Sequence, residues 1–299
     1  MNLKTNLLFI SLLLLSVVAQ CAFGNFPFAF FAFPLDLLLA LIWIGGMGYA
    51  YKEKRSFVAV RIWLSPQCTY WTLGWFLAGC LVIGLFPQLS VQDAVRKSGV
   101  LSTLGCYHFT SSWIFVTGLF GLLTHLGMIT LRRFFLPGRS QWCFVLNHAG
   151  LWLALFAGFI GSAEEQTLRI PVFRTSSNNE AFTEEGNKVY LEKSLQLTDF
   201  VVEHYPNGSP RYFFAEISVD GKPVHLEVNH PYAASWSEDY YLTSYDVKSP
   251  EPQYCVVQIV REPLKCLMWL GIVMMLCGGC LLFLAGPDRE KTSFPEKSC

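Results

Sequence analysis

Apolar and polar positions alternate along this chain on two scales. Six apolar runs approach the roughly 20 residues that a helix needs to cross a bilayer, and one long polar segment separates the fifth from the sixth. Residues 1–24 open on Met1-Asn-Leu-Lys4, continue through an apolar stretch from Leu7 to Ala19 and end in Ala-Gln-Cys-Ala-Phe-Gly24. This is a signal-like first apolar helix, and a retained first span fits the same pattern. Within residues 25–161, further spans are expected over about 34–51, 70–87, 111–131 and 141–161. The second of these is short and draws on Tyr70 and Trp71 as interfacial anchors. A closing span is expected over 263–286, followed by a tail at 287–299.

The short-range pattern changes over residues 162–262. Thr167–Phe173, Val189–His204, Arg211–Val219, Pro223–Asn229, Tyr240–Val247 and Tyr254–Arg261 are β-branched or aromatic runs, several of them alternating, as half-buried strands do. Asp220-Gly221 is a hairpin turn signal between two of them, and Pro206-Asn-Gly-Ser-Pro210 is a second turn cluster. Ser176 to Asn187 is polar and reads as a mobile loop. The fold expected is a membrane α-helical protein with an inserted extracytoplasmic all-β domain, an antiparallel sandwich or open barrel.

Basic residues orient the spans. Lys52, Lys54, Arg55 and Arg61 place the loop after the second run in the cytoplasm, as Arg132, Arg133 and Arg139 do for the loop before the fifth. Arg289, Lys291 and Lys297 place the tail there too. Residues 88–111 and 162–262 are then expected outside. Composition agrees with membrane residence: the chain has 299 residues, 53% hydrophobic and 15% charged. Its net charge of zero hides an asymmetry, because residues 162–262 carry 16 acidic against 8 basic side chains. An acidic outer domain lacks the positive footprint that phosphate requires, so no nucleic acid partner is expected.

Candidate chemistry is sparse. No Gly-rich phosphate loop, HExxH, GxSxG or CxxCH occurs, and the ten cysteines show no paired CxxC with polar flanks. Cys277-Gly-Gly-Cys280 lies in an apolar run, where small residues serve helix packing and a thiol-redox role is the alternative. Two histidines stand inside apolar runs, His125 and His148. An ionisable side chain at membrane depth is costly and marks a candidate functional site. His148 lies about 10 Å into its helix at 1.5 Å per residue, and His125 sits at a similar depth in the preceding one. Phe144 and Trp152, four residues either side of His148, share its face. Imidazole framed by aromatic rings suits a haem, whose iron takes a histidine ligand. A histidine bonded to a neighbouring helix is the ordinary alternative.

The order of these features resembles the ResB (CcsB) family of system II cytochrome c biogenesis. Leu146-Asn147-His148-Ala149-Gly150-Leu151 through Gly158-Phe-Ile-Gly161 is similar to the family's histidine-bearing helix. Cys106-Tyr107-His108 followed by Trp113-Ile114-Phe115 resembles the stretch leading into the preceding helix. Leu195 to Phe200 with His204-Tyr-Pro-Asn-Gly-Ser209, Val228-Asn229-His230-Pro231 with Tyr240 to Asp246, and Val260-Arg261-Glu262-Pro263 resemble successive motifs of its outer domain. Asp239-Tyr240 stands where the family has Gly-Tyr.

The resemblance implies a multi-pass protein of the inner (cytoplasmic) membrane with its β domain on the periplasmic side. It would be a non-autonomous component of a cytochrome c haem lyase (synthetase) complex. Its implied partners are a CcsA/ResC-type tryptophan-rich protein, apocytochrome c and the lipid bilayer. Its implied cargo is haem b, with His148 as an iron ligand and His125, Trp152 and Phe144 as further cofactor-binding candidates. Asn229, Pro231, Tyr245 and Asp246 would shape the domain surface. The rival readings are a membrane-anchored binding or assembly module that never handles haem, and a thiol-redox protein.

Overall fold

A computed structural model describes all residues except 1–2, 29–31, 91–92, 95, 136–138, 250 and 286–299, so the expected tail at 287–299 lies outside the described residues. Two compact units form, residues 1–157 with 267–299, and residues 158–266.

The first unit is helical: α1 (Leu3–Phe23), α2 (Leu35–Glu53), α3 (Val58–Trp63), α4 (Pro66–Leu85), a single turn α5 (Val100–Thr103), α6 (Trp113–Phe134), and most of α7 (Arg139–Gly161) and α8 (Lys265–Ala285). Among the described residues, five helices are long and apolar enough to cross a membrane: α1, α4, α6, α7 and α8. The apolar run at 34–51 does form a helix, but α2 includes Asp36, Lys52 and Glu53 and is not among those five. The helix expected from residue 70 begins at Pro66. Ser65 caps it, its hydroxyl accepting from the Cys68 N–H at 3.3 Å, and proline suits the first helical position.

Helix α6 is the hub, since 61% of its apolar window is buried against 11–28% for the other four. The signal-like segment is integrated with it. Phe9 of α1 is buried and stacks on Trp71 of α4 at 5.7 Å between ring centroids. Buried Gln20 accepts from the Trp113 N–H at 2.9 Å, at the start of α6. This bond satisfies a helix-end donor that would otherwise go unmet in an apolar setting.

The second unit holds one eight-stranded antiparallel sheet in the order β5-β4-β3-β2-β1-β8-β7-β6. Its strands are β1 Gln166–Phe173, β2 Asn178–Thr183, β3 Lys188–His204, β4 Pro210–Val219, β5 Lys222–Glu227, β6 Tyr232–Ser235, β7 Glu238–Tyr245 and β8 Tyr254–Arg261. All strands share one sheet, and β5 contacts β6 and β7. The sheet therefore curls toward closure as an open barrel, and a sandwich of two sheets is not formed. Leu168, Ile170, Leu195, Ile217, Leu226 and Ile259 fill its inner face. Asp220 and Gly221 both adopt positive φ, 47° and 83°, as a tight hairpin turn requires.

The expected loop at Ser176–Asn187 is corrected, because β2 occupies its middle. Ala181 is the only fully buried residue of that strand. Polar side chains fasten it instead, Asn178 Nδ2 donating to the Pro171 carbonyl at 2.8 Å. A strand held by asparagines has no apolar alternation to read. The four-residue edge strand β6 was too short to leave a pattern.

Candidate functional site

Helix α7 presents two different faces. Asn147, Gly150 and Ala154 form a narrow seam against α8. A Cβ placed on Gly150 would come within 2.6 Å of the Gly271 carbonyl oxygen and of the Met275 nitrogen. Asn147 Nδ2 donates to the Met275 carbonyl at 3.2 Å, a polar bond of the kind that joins helices in an apolar medium. Gly278 packs against the Asn147 backbone, so the Cys277–Cys280 segment contributes a close helix contact while both thiols stay exposed and free.

The second face is an aromatic stripe at every fourth residue: Phe144, His148, Trp152, Phe156. The imidazole of His148 lies on the Phe144 ring, 3.7 Å between centroids and 15° from parallel. His148 Nδ1 is 3.0 Å from the Phe144 carbonyl oxygen. A carbonyl only accepts, so Nδ1 carries a proton, and in the neutral imidazole that an apolar setting favours the lone pair is on Nε2. Among the described residues Nε2 has no hydrogen-bond partner, and the side chain is half-buried. This is the state that a metal-ligating histidine needs: neutral, one nitrogen fixed by a backbone acceptor, the other available. The Arg133 guanidinium stands 5.1 Å from the Phe144 ring centroid.

Trp152 and Phe144 serve this face differently. Trp152 Nε1 donates to the Leu123 carbonyl at 2.9 Å, and its ring stacks on Phe156 at 4.7 Å, so it clamps α7 to α6. Phe144 is the platform for the imidazole. His125 sits elsewhere. Its Nε2 is 2.8 Å from the Thr69 hydroxyl and its Nδ1 is 2.7 Å from the Trp63 carbonyl, with the side chain only 2% exposed. Both ring nitrogens are engaged in holding α6 to α3 and α4, and iron ligation there would require breaking one bond. The two histidines share no partner.

A cavity of about 740 Å³ opens between α1, α4 and α6, walled by Trp71, Gly74, Trp75 and Phe109 among others, and among the described residues none of α7 lines it. Among the described residues no group of three or more His, Cys, Asp or Glu could hold a metal ion.

In the β unit, the motif residues act as structure. Tyr245 packs on Phe200 and Phe213, at 4.8 and 5.1 Å. Asn229 takes a left-handed φ of 64°. The Ser249 hydroxyl donates to Asp246 at 2.8 Å and, with nearby backbone N–H groups, holds its carboxyl below the usual range. Sequence reasoning missed one arrangement here. Asp239 pairs with Lys265 at the head of α8. Beside it, Glu238 accepts from Arg261 Nε at 2.7 Å and from the Tyr240 hydroxyl at 3.0 Å. Asn147 was also missed as a contact, although a polar side chain within a span was the signal.

No curated protein matches the chain. Among solved structures, one titled "Cytochrome c Heme Lyase CcmF" is similar at 11% identity and a TM-score of 0.36, over 71% of this chain and 34% of that one. The chain therefore spans about a third of that protein's length. Residues 138–251 match the profile of the ResB-like family. That stretch takes in α7 with His148 and the β domain through β7, and over it the chain is similar to the ResB-like family.

Proposed function

We propose that this protein is a membrane subunit of the system II cytochrome c synthetase, working with a CcsA/ResC-type tryptophan-rich partner. The observation that carries the reading is the geometry of His148: an imidazole in an apolar helix, Nδ1 tied to a backbone carbonyl, Nε2 without a hydrogen-bond partner among the described residues. The ResB-like match over the segment that contains it supports the same conclusion. Haem is the cargo. His148 supplies one axial ligand to its iron, and the partner supplies the other, since both nitrogens of His125 are engaged. Phe144 fixes the imidazole plane. Arg133 offers a cation at the same end of the helix for an acidic haem propionate.

In this reading haem enters from the cytoplasmic side and moves outward through the inner membrane. Each vinyl group then adds a cysteine S–H of apocytochrome c across its double bond, the sulfur forming the thioether and the proton going to the other carbon. The chain contributes ligation and placement, and the β domain on the periplasmic side positions partner and apocytochrome. The direct test is to purify the chain with its tryptophan-rich partner and record the haem spectrum. A Soret band that copurifies with the pair supports the reading. A haem-free pair from cells that mature cytochrome c normally would favour the assembly-module alternative.

A further inference from the structure

Trp236 is the most exposed large apolar side chain of the β unit, at 85%. It occupies the tip of the β6–β7 turn, between Ser235 and Ser237. Elsewhere in a soluble domain an indole left this bare would be a liability. Its surroundings are not those of a free loop. The Glu262 N–H donates to the Ser237 carbonyl at 2.8 Å, and Cys266 Sγ lies 3.8 Å from the Trp236 carbonyl oxygen. Lys265 pairs with Asp239, and Arg261 pairs with Glu238 at 2.7 Å, its cross-strand neighbour. Four contacts therefore fasten this turn to the stretch 261–266.

Lys265 is the first residue of α8, a helix long and apolar enough to cross the membrane. The other chain crossing is adjacent, since a Cβ on Gly161 would meet Leu264 at 3.3 Å. Where α8 spans, residues 261–266 lie at the headgroup level, and the turn pinned to them lies there too. An amphipathic indole, with an apolar body and one N–H donor, favours that layer over both water and hydrocarbon.

We propose that Trp236 is a membrane-interface anchor, inserting its indole into the lipid headgroup layer and holding the β6–β7 edge of the sheet against the bilayer surface. The partner is the lipid surface itself. The indole supplies the attraction, because the same end of the domain carries Glu165, Glu184 and Glu262, close enough that Glu165 feels both neighbours. Zwitterionic lipid is the surface that fits.

The test uses the full chain in phosphatidylcholine nanodiscs. Trp236→Phe removes one indole from a bare turn, and subtracting its fluorescence from that of the wild type isolates the Trp236 signal from the other tryptophans. The expected difference signal is blue-shifted from free tryptophan and insensitive to acrylamide. It should lose intensity when a headgroup-nitroxide phosphatidylcholine is included. A red, acrylamide-quenched signal unaffected by the nitroxide lipid would overturn the proposal. Asn207→Trp, at the β3–β4 turn, provides the aqueous reference signal. If Trp236 is quenched by the nitroxide lipid no more than that reference, the anchor is likewise refuted.

Discussion

Replacing Gly150 should loosen the helix that carries His148, and the structure sets the size of the effect. An added Cβ would lie 2.6 Å from both the Gly271 oxygen and the Met275 nitrogen, whereas heavy atoms settle at about 3.5–4.0 Å. Both neighbours are backbone, so α7 and α8 must part by about an ångström. Overpacking of this kind costs about 1–3 kcal/mol. Parting the helices also stretches the 3.2 Å bond from Asn147 to the Met275 carbonyl, adding about 0.6 kcal/mol. Alanine recovers about 1 kcal/mol of helix propensity, leaving Gly150→Ala destabilised by about 0.6–2.6 kcal/mol and Gly150→Leu by more.

Gly158 of the same helix is the control. Among the described residues nothing lies within 4 Å of a Cβ placed there, so Gly158→Ala should gain stability from propensity alone. Reversible unfolding in mixed detergent–SDS micelles, followed by circular dichroism, reads both variants. Opposite signs are expected. Gly150→Ala as stable as Gly158→Ala would refute the close seam.

Further predictions concern the β unit and the closing helix. Asp239→Asn leaves the Lys265 ammonium without its carboxylate at a site where the two side chains are 19% and 11% exposed. The loss expected in denaturant titration is about 3 kcal/mol, the low end for a broken buried pair. Asp239→Gly with Lys265→Leu should recover most of that loss, and equal stability of Asp239→Asn and wild type would contradict the pairing. Cys255 is fully buried in β8, and burial pushes its thiol up to about 12. Only the thiolate reacts, so at pH 8 maleimide should label Cys255 after unfolding and not before; labelling in the native state would contradict its burial. Cys277 and Cys280 are free and exposed on α8. Their double serine variant should keep normal haem content, and an altered envelope thiol balance would revive the redox reading.

The long helices were legible because each needed a long apolar run, which composition records, whereas the short α3 and α5 have none. The start of α4 was not legible, since residues 66–69 extend it behind the Ser65 cap, which hydropathy does not register. In the β unit, alternation revealed the strands that bury side chains every second residue. It concealed β2, which asparagine side chains hold in place. At the candidate site, the i, i+4 spacing of Phe144, His148 and Trp152 was enough to put them on one face. What each does on that face was not readable, because a hydrogen bond to the Leu123 carbonyl makes Trp152 a clamp. The roles of the two histidines likewise depend on which carbonyls and hydroxyls reach their rings. Tertiary packing engages both nitrogens of His125, whereas the Phe144 carbonyl that engages one nitrogen of His148 belongs to its own helix.

If the available nitrogen of His148 binds haem iron, the haem content of the purified complex will depend on it, and His148→Gly tests this. Removing the imidazole should abolish most of the Soret absorbance per complex, and imidazole added during expression should restore it by occupying the vacated space. Unchanged haem content in His148→Gly, with normal cytochrome c maturation, would contradict the account.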